Sequence, residues 1–212
     1  MSAATSRTVH VDARRLERWV AGFGERHGAV ATEVADGAVV LSGADGAVAT
    51  LHAPFPPWPA GPAPADPVAA LVLHAQRPRR VPVLLLRRGG YAVALVEDGA
   101  VTASKVGSRY VQGRTAAGGW SQQRFARRRE GQAAALLDAA AGTAVRVLAP
   151  LGGDALVTGG DRALVDRLLA DPRLRPLAAL PRERHLDVGD PRADDVRALP
   201  ERLRSVRVVL TP

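Results

Sequence analysis

The stretch GSRYVQGRTAAGGWSQQRFARRREGQ, residues 107–132, separates two differently patterned parts of the chain and carries its densest charge. Positions 107–129 hold six of the net eight positive charges and no acidic residue. The residues concerned are Arg109, Arg114, Arg124, Arg127, Arg128 and Arg129. Such a local excess suits phosphates, and the planar arginine side chain also stacks on bases. Coding bias would explain the number of arginines but not their clustering, so nucleic acid is the leading partner class.

A helix is predicted over residues 121–141, after a loop at 108–119. Its apolar positions recur at helical spacing and predict a face that packs on a core. They are Phe125, Ala133, Leu136, Leu137 and Ala140. Arg124, Arg127 and Arg128 fall on the other side, so one side of the helix is expected to pack while the other binds.

The start of this helix offers a limited kind of chemistry. Gly118 and Gly119 permit unusual dihedrals and close backbone approach. With Ser121 as the N-cap, Gln122 and Gln123 lie in the first turn, where free backbone N–H groups favour developing negative charge. A neutral amide can position a water molecule but cannot be a strong base. Catalysis here would therefore depend on orientation and on stabilisation of an oxyanion.

The segments on either side of this stretch predict an α/β fold. Three strands precede it, at residues 81–88, 91–97 and 100–106, with tight turns between them. The elements after it alternate, and they are a strand at 144–149, a helix at 161–170 capped by Asp161, a short strand at 177–180, a helix at 192–199 and a final strand at 205–210. The prediction is a mixed sheet with packed helices.

The N-terminal part predicts a small α+β region. Asp12 caps a helix that ends near Gly28, with apolar positions Leu16, Trp19, Val20 and Phe23. Three short strands follow at residues 29–35, 38–42 and 47–52. Seven of the fifteen residues at 53–67 are proline, which favours a stiff surface connector over a docking ligand. The predicted division is therefore residues 1–67, including the connector, and residues 68–212, although the run at 68–76 has no clear type.

Other candidate sites are weak. The histidines His10, His27, His52, His74 and His185 are dispersed without metal-ligand spacing. Gly152-Gly153 and Gly159-Gly160 complete no phosphate loop and are interpreted as turns. Asp187, Asp190, Asp194 and Asp195 fit no calcium loop, and solvated loop and helix-cap positions suffice for them. No metal and no cofactor are predicted.

The composition favours a soluble protein of the cytoplasm. The chain has 212 residues and no cysteine, which fits a reducing compartment. It has no apolar run of the roughly 18 residues that a membrane span requires. We expect a cytoplasmic monomer without membrane contact.

The segment GGWSQQRFARRR, residues 118–129, resembles the central domain of the eukaryotic and archaeal class I translation release factors. In that family a meander precedes a loop with a Gly-Gly-Gln motif and an arginine-rich helix. The residues that fit without a gap are Ser121, Arg124, Phe125, Ala126, Arg127 and Arg129, and a weaker likeness extends over residues 81–148. Gapless alignment places Trp120 where the release factors have their catalytic glutamine. The Vms-like branch, implicated in ribosome-associated quality control, is described by Gly-x-x-Gln, which residues 119–122 satisfy. The sequence is similar to bacterial members of that branch.

The resemblance implies a ribosome-associated peptidyl-tRNA hydrolase with a release-factor-like α/β domain. Its loop would enter the peptidyl-transferase centre of the large ribosomal subunit, where Gln122, supported by Gly118 and Gly119, would assist water attack on the peptidyl ester. Gln123 is the alternative glutamine. The residues expected to contact tRNA or ribosomal RNA are Arg109, Arg114, Trp120, Gln123, Arg124, Arg127 and Arg128, although Trp120 would equally serve as a structural anchor. A non-enzymatic ribosome or RNA-binding module is the second hypothesis, and a non-specific nucleic-acid binder is the third.

Overall fold

A computed structural model describes residues 6–59, 61–108 and 121–212, and for residues 121–129 it describes the backbone alone. The described helices and strands follow one another in a mixed order. They are β1 (Arg7–Asp12), α1 (Leu16–His27), β2 (Val30–Ala35), β3 (Ala38–Gly43), β4 (Val48–His52), α2 (Pro67–Gln76), β5 (Arg80–Arg87), β6 (Gly90–Glu97), β7 (Ala100–Ser108), α3 (Ser121–Val147), β8 (Leu156–Gly160), α4 (Arg162–Leu169), α5 (Arg175–Ala178), β9 (Arg182–Leu186), α6 (Ala193–Arg197), α7 (Leu199–Arg204) and β10 (Ser205–Thr211). The predicted α/β class is confirmed.

The chain forms two units, Met1–Pro78 with Pro200–Pro212 and Arg79–Leu199. The predicted boundary after residue 67 differs from this division at both ends of the chain. Residues of α2 pack in the core of the first unit, and β10 pairs with both β1 and β4. Strand pairing between the two ends of a chain leaves no local pattern in the sequence, so the first unit takes in segments that the sequence assigns to the second.

The first unit is an antiparallel sheet in the order β1-β10-β4-β3-β2, with helices packed on it. Phe23 of α1 and Leu71 of α2 are fully buried in one core with Leu51 and Val208 of the strands. Asp12 caps a short 3-10 turn that leads into α1, because its carboxylate accepts from the Arg14 backbone N–H at 2.7 Å. The predicted cap therefore lies one turn before the α-helix. The sequence prediction left out β1.

The second unit is a mixed sheet in the order β7-β6-β5-β8-β9. The meander β5-β6-β7 is antiparallel, as its turns predict, and β8 and β9 continue parallel to β5. Helices α3 and α4 pack on the face that carries Leu84 and Val93. The alternate residues Val83 and Leu85 are also fully buried, so this sheet is covered on both faces.

Helix α3 continues to Val147, so the predicted strand at 144–149 is wrong. Locally, β-branched Thr143, Val145 and Val147 favour a strand. Ala140, Ala144 and Leu148 nevertheless extend the buried stripe at four-residue spacing against the same core. Burial of that stripe outweighs the weak local preference.

Three further predictions needed correction or adjustment. The short strand expected at 177–180 is wrong, because α5 occupies Arg175–Ala178 and the strand β9 follows at Arg182–Leu186. Gly159 and Gly160 end the strand β8 rather than forming a turn, and a Cβ at Gly160 would approach the Leu86 carbonyl oxygen to 2.0 Å. The helix expected at 192–199 is divided into α6 and α7.

The cap predicted at Asp161 is confirmed, and its carboxylate accepts from the Leu164 backbone N–H at 3.2 Å. Asp195 likewise accepts from the Arg192 backbone N–H at 2.9 Å at the start of α6. Both carboxylates satisfy N–H groups that a helix start leaves without an intrahelical partner.

Arg80 binds carbonyl oxygens at the C-terminal end of α3. Its guanidinium donates to the carbonyl oxygens of Leu148 at 3.3 Å and Pro150 at 3.1 Å, and it pairs with Glu97. A cation at a helix C-terminus also opposes the negative end of the helix dipole. Strand β5 and the end of α3 are thereby joined.

We predict that Arg80→Met lowers the free energy of unfolding by about 1 kcal/mol, because the two carbonyl oxygens lose their donor. Urea unfolding measures the change. Arg88→Met is the matched control, since Arg88 is exposed and follows β5. Equal stability of the two variants would show that Arg80 does not hold the end of the helix.

Glu97 makes part of the stability dependent on pH. The Thr102 hydroxyl, donating at 2.7 Å, and Arg80 lower the pKa of Glu97 and outweigh the opposing effect of desolvation. The folded state therefore favours the ionised carboxylate. This stabilisation is complete above the ordinary glutamate pKa and is lost as the pH falls through the lowered one.

We predict that Thr102→Val reduces the loss of stability on acidification from pH 5 to pH 3, because Glu97 then titrates nearer to its unfolded-state pKa. Urea unfolding across this pH range measures the difference. Thr32→Val on β2 is the control for replacing an exposed strand threonine. An unchanged pH dependence in Thr102→Val would remove the hydroxyl from this account.

Candidate functional site

Helix α3 begins at Ser121, at the position that the sequence predicts. Its backbone therefore places Gln122 and Gln123 in the first turn and Arg124, Arg127 and Arg128 in the turns that follow. The side chains of these five residues, and the predicted core position of Phe125, lie outside the described residues. So do all atoms of Arg109, Arg114, Gly118, Gly119 and Trp120. Their predicted roles stay predictions.

The anchored part of α3, defined as residues 133–147, packs on the core of the second unit. The helix has 27 residues, which corresponds to a length of about 40 Å. Among residues 130–147, whose side chains are described, Ala133 is the first that packs against the core, and Glu130 and Gly131 are exposed. Ser121 therefore lies about 18 Å along the helix axis before this first described core contact.

Two ion pairs connect this helix to neighbouring segments of the second unit. Glu130 pairs with Arg167 of α4 at 2.6 Å, and Asp138 pairs with Arg173 at 2.8 Å. Arg173 also binds Asp171 at 2.6 Å, and this contact lowers the pKa of Asp171. Asp171 and Asp138 raise the pKa of Arg173. Glu130 and Asp138 are the acidic residues of α3, and both are directed to arginines outside the helix.

The strand that leads into residues 109–120 is held by an aromatic ring. Tyr91 of β6 lies opposite Gly107 of β7, one residue before the strand ends at Ser108. A Cβ at Gly107 would come within 2.4 Å of Cζ of the Tyr91 ring. Only glycine therefore leaves room for the ring at this point of the strand.

The Tyr91 hydroxyl also reaches α3. It lies 2.9 Å from Oγ1 of Thr143, and both side chains are buried. Arg146 donates to the same Thr143 oxygen at 3.3 Å. Neither Tyr91 nor Thr143 stands out in the sequence. An aromatic residue after the Gly89-Gly90 turn was the available signal, but its partner becomes visible only when the register of β6 and β7 is known.

The histidine in the second unit is a structural residue. Nε2 of His185 donates to the Gly160 carbonyl oxygen at 3.1 Å, and its Nδ1 lies 2.9 Å from Oγ1 of Thr158. Both ring nitrogens are thus used within the sheet. Across the described ranges, no cluster of three or more His, Asp or Glu side chains could hold a metal ion.

In the part of the chain that the structure covers, no helix has both the length and the apolar character to cross a membrane.

Comparison with known families connects the second unit to translation. A family model described as the Actinobacteria/chloroflexi VLRF1 release factor, acVLRF1, matches residues 79–209, which is more than half of the 212-residue chain. The match includes the second unit and the predicted site. No curated protein matches the chain. The chain therefore belongs to the Actinobacteria/chloroflexi VLRF1 release factor family, and its role is release-factor-like and associated with the ribosome.

Proposed function

We propose that this protein is a peptidyl-tRNA hydrolase that releases stalled nascent chains on the large ribosomal subunit, in the manner of the Vms-like branch. One observation carries the proposal. The Gly-x-x-Gln sequence at residues 119–122 ends in the first turn of α3, about 17 Å along the helix axis from Ala133, which packs on the core. A glutamine at the start of a long supported helix suits a reactive centre enclosed within a large RNA assembly.

The reaction is hydrolysis of an ester. A water oxygen attacks the carbonyl carbon that joins the nascent peptide to the terminal ribose of the tRNA. The bond from this carbon to the ribose oxygen then breaks, and that oxygen takes a proton. The products are a peptide with a free carboxyl group and a tRNA with a free hydroxyl group.

Gln122 would orient the attacking water through its side-chain amide. Its backbone N–H belongs to the first turn of α3, where N–H groups have no intrahelical partner. Such a donor would stabilise the oxyanion that develops during attack. Gly118 and Gly119 would allow the backbone to approach the ester closely.

The arginines would hold the helix on RNA. Arg124, Arg127 and Arg128 are spaced i, i+3 and i+4, so their positions share one face of α3. Because Glu130 and Asp138 bind arginines outside the helix, the carboxylates of α3 are engaged elsewhere. The positive field of residues 124–129 would then act on phosphates of tRNA or ribosomal RNA, with Arg109, Arg114 and Trp120 adding contacts from the preceding loop.

A second candidate function follows from Trp120. In the gapless alignment this residue occupies the position of the release factors' catalytic glutamine. A protein that keeps the fold and the arginines but lacks a correctly placed glutamine would bind the ribosome without releasing peptide.

We predict that Gln122→Ala lowers the single-turnover rate of peptide release about 100-fold, because the water is no longer oriented. The assay uses large ribosomal subunits that carry a labelled peptidyl-tRNA, and binding to these complexes should change little. Gln123→Ala is the matched control and should release peptide at nearly the native rate.

Three other results would change the assignment. Native release by Gln122→Ala and loss of release in Gln123→Ala would transfer the role to Gln123. Undiminished release in both variants would contradict glutamine-assisted hydrolysis. Binding without release by the native protein would establish the non-enzymatic module instead.

We predict that replacing Arg124, Arg127 and Arg128 together by glutamine weakens binding to large subunits and makes it less dependent on salt. The slope of log K against log salt should fall in magnitude by about 1 for each phosphate that the variant no longer neutralises. Replacing the exposed Arg14, Arg15 and Arg18 of the first unit changes the charge equally and is the control.

Equal losses of binding in the two triple variants would show that total charge, not the helix, determines affinity. Comparable affinity of the native protein for random duplex DNA, with the same salt dependence, would favour a non-specific nucleic-acid binder.

A further inference from the structure

Tyr91 contacts both elements that flank residues 109–120. Its ring lies over Gly107, at the end of the strand that precedes them, and its hydroxyl meets Thr143 in the helix that follows them. Tyr91 and Thr143 are 52 positions apart, and the bond between them is buried. The Tyr91 side chain therefore contacts both the end of β7 and helix α3.

The contact with Gly107 fixes the strand. The two residues are directly opposite in the antiparallel pair β6-β7, and the phenol ring occupies the space where a Cβ would lie. A ring that fills this space cannot shift toward β7 without a clash, and β7 cannot move toward the ring. The exit point of the strand is thus set by Tyr91.

The contact with Thr143 fixes the helix. Around Thr143 the buried apolar residues of α3 are Ala140, Ala141 and Ala144, whose short side chains offer few features that resist sliding along the sheet. A hydrogen bond has a directional optimum and does resist it. Arg146 donates to the same threonine oxygen and further restricts its rotamer.

We propose that Tyr91 and Thr143 are positioning residues for peptide release, because their hydrogen bond sets where α3 lies relative to the end of β7. This inference rests on the proposed function. Gln122 lies 21 residues before Thr143 on the same helix. A small tilt of the helix axis at Thr143 therefore produces a larger displacement of Gln122. The pair therefore affects the rate of the chemical step more than the affinity for the ribosome.

A second hydroxyl bond in the same unit provides the matched control. Thr158 is buried and lies 2.9 Å from His185, the same separation as that between Tyr91 and Thr143. It joins β8 to β9 and contacts neither β7 nor α3 through this bond. A purely structural role predicts the same outcome for the loss of either bond.

The kinetic test measures the rate and half-saturation of peptide release for Tyr91→Phe, Thr143→Val, the double variant and Thr158→Val. We expect each of the first two to lower the maximal rate about 10-fold, with little change in half-saturation. The double variant should be no slower than Thr143→Val, since that variant already lacks the bond to Tyr91. Thr143→Ser keeps the hydroxyl and should restore the native rate.

Thermal unfolding of each variant separates positioning from loss of fold. Thr158→Val should lower the melting temperature about as much as Thr143→Val but leave the release rate native. A native release rate in both Tyr91→Phe and Thr143→Val would overturn the inference, as would an equal loss of rate in Thr158→Val. A native protein that releases no peptide would instead contradict the proposed function.

A distance measurement tests the positioning without any release activity. The chain contains no cysteine, so Lys105→Cys on β7 and Ala134→Cys on α3 can carry spin labels at two exposed sites. We expect a narrow distance distribution in the labelled protein that carries no other substitution and in the labelled Thr158→Val variant. The labelled Tyr91→Phe/Thr143→Val variant should give a broader or shifted distribution. Identical distributions in all three would overturn the inference.

Discussion

The packing of the second part of α3 on the mixed sheet is the interaction on which the rest of the second unit depends. Leu136 and Ala140 are buried in one core with Val93 and Leu95, and the stripe continues to Leu148, whose carbonyl oxygen accepts from Arg80. Loss of such a buried stripe would expose apolar surface and leave cavities, so this packing holds the helix against the sheet. The beginning of the same helix carries the glutamines and arginines, and its location follows from the anchored part.

The elements that the sequence predicted correctly are those with local signals. The start of α3 at Ser121, the meander β5-β6-β7 and the cap at Asp161 each depend on residues within a few positions of one another. The errors have the opposite origin. Residues 144–147 favour a strand locally and become helical through tertiary packing. Likewise, β10 belongs to the first unit because of pairing with β1 and β4, which no local pattern records.

The candidate site likewise has residues that the sequence identifies and residues that only the folded structure brings together. The Gly-x-x-Gln sequence and the arginine cluster are contiguous, so residue type and spacing are enough to find them, and the family match covers them. The support beneath them is not contiguous. Tyr91, Gly107 and Thr143 come from three elements, and each is ordinary on its own. Their relation requires the strand register and the placement of α3, so only the folded structure reveals it.

The central claim is that Gln122 reaches the peptidyl ester while the anchored part of α3 supports it. The most direct measurement is a cryo-electron microscopy structure of the protein on a large ribosomal subunit that carries a non-hydrolysable peptidyl-tRNA. We expect Gln122 within about 3.5 Å of the ester carbonyl oxygen or of a water beside it, with Arg124, Arg127 and Arg128 on RNA phosphates. A bound protein whose α3 points away from the peptidyl-transferase centre would contradict the claim.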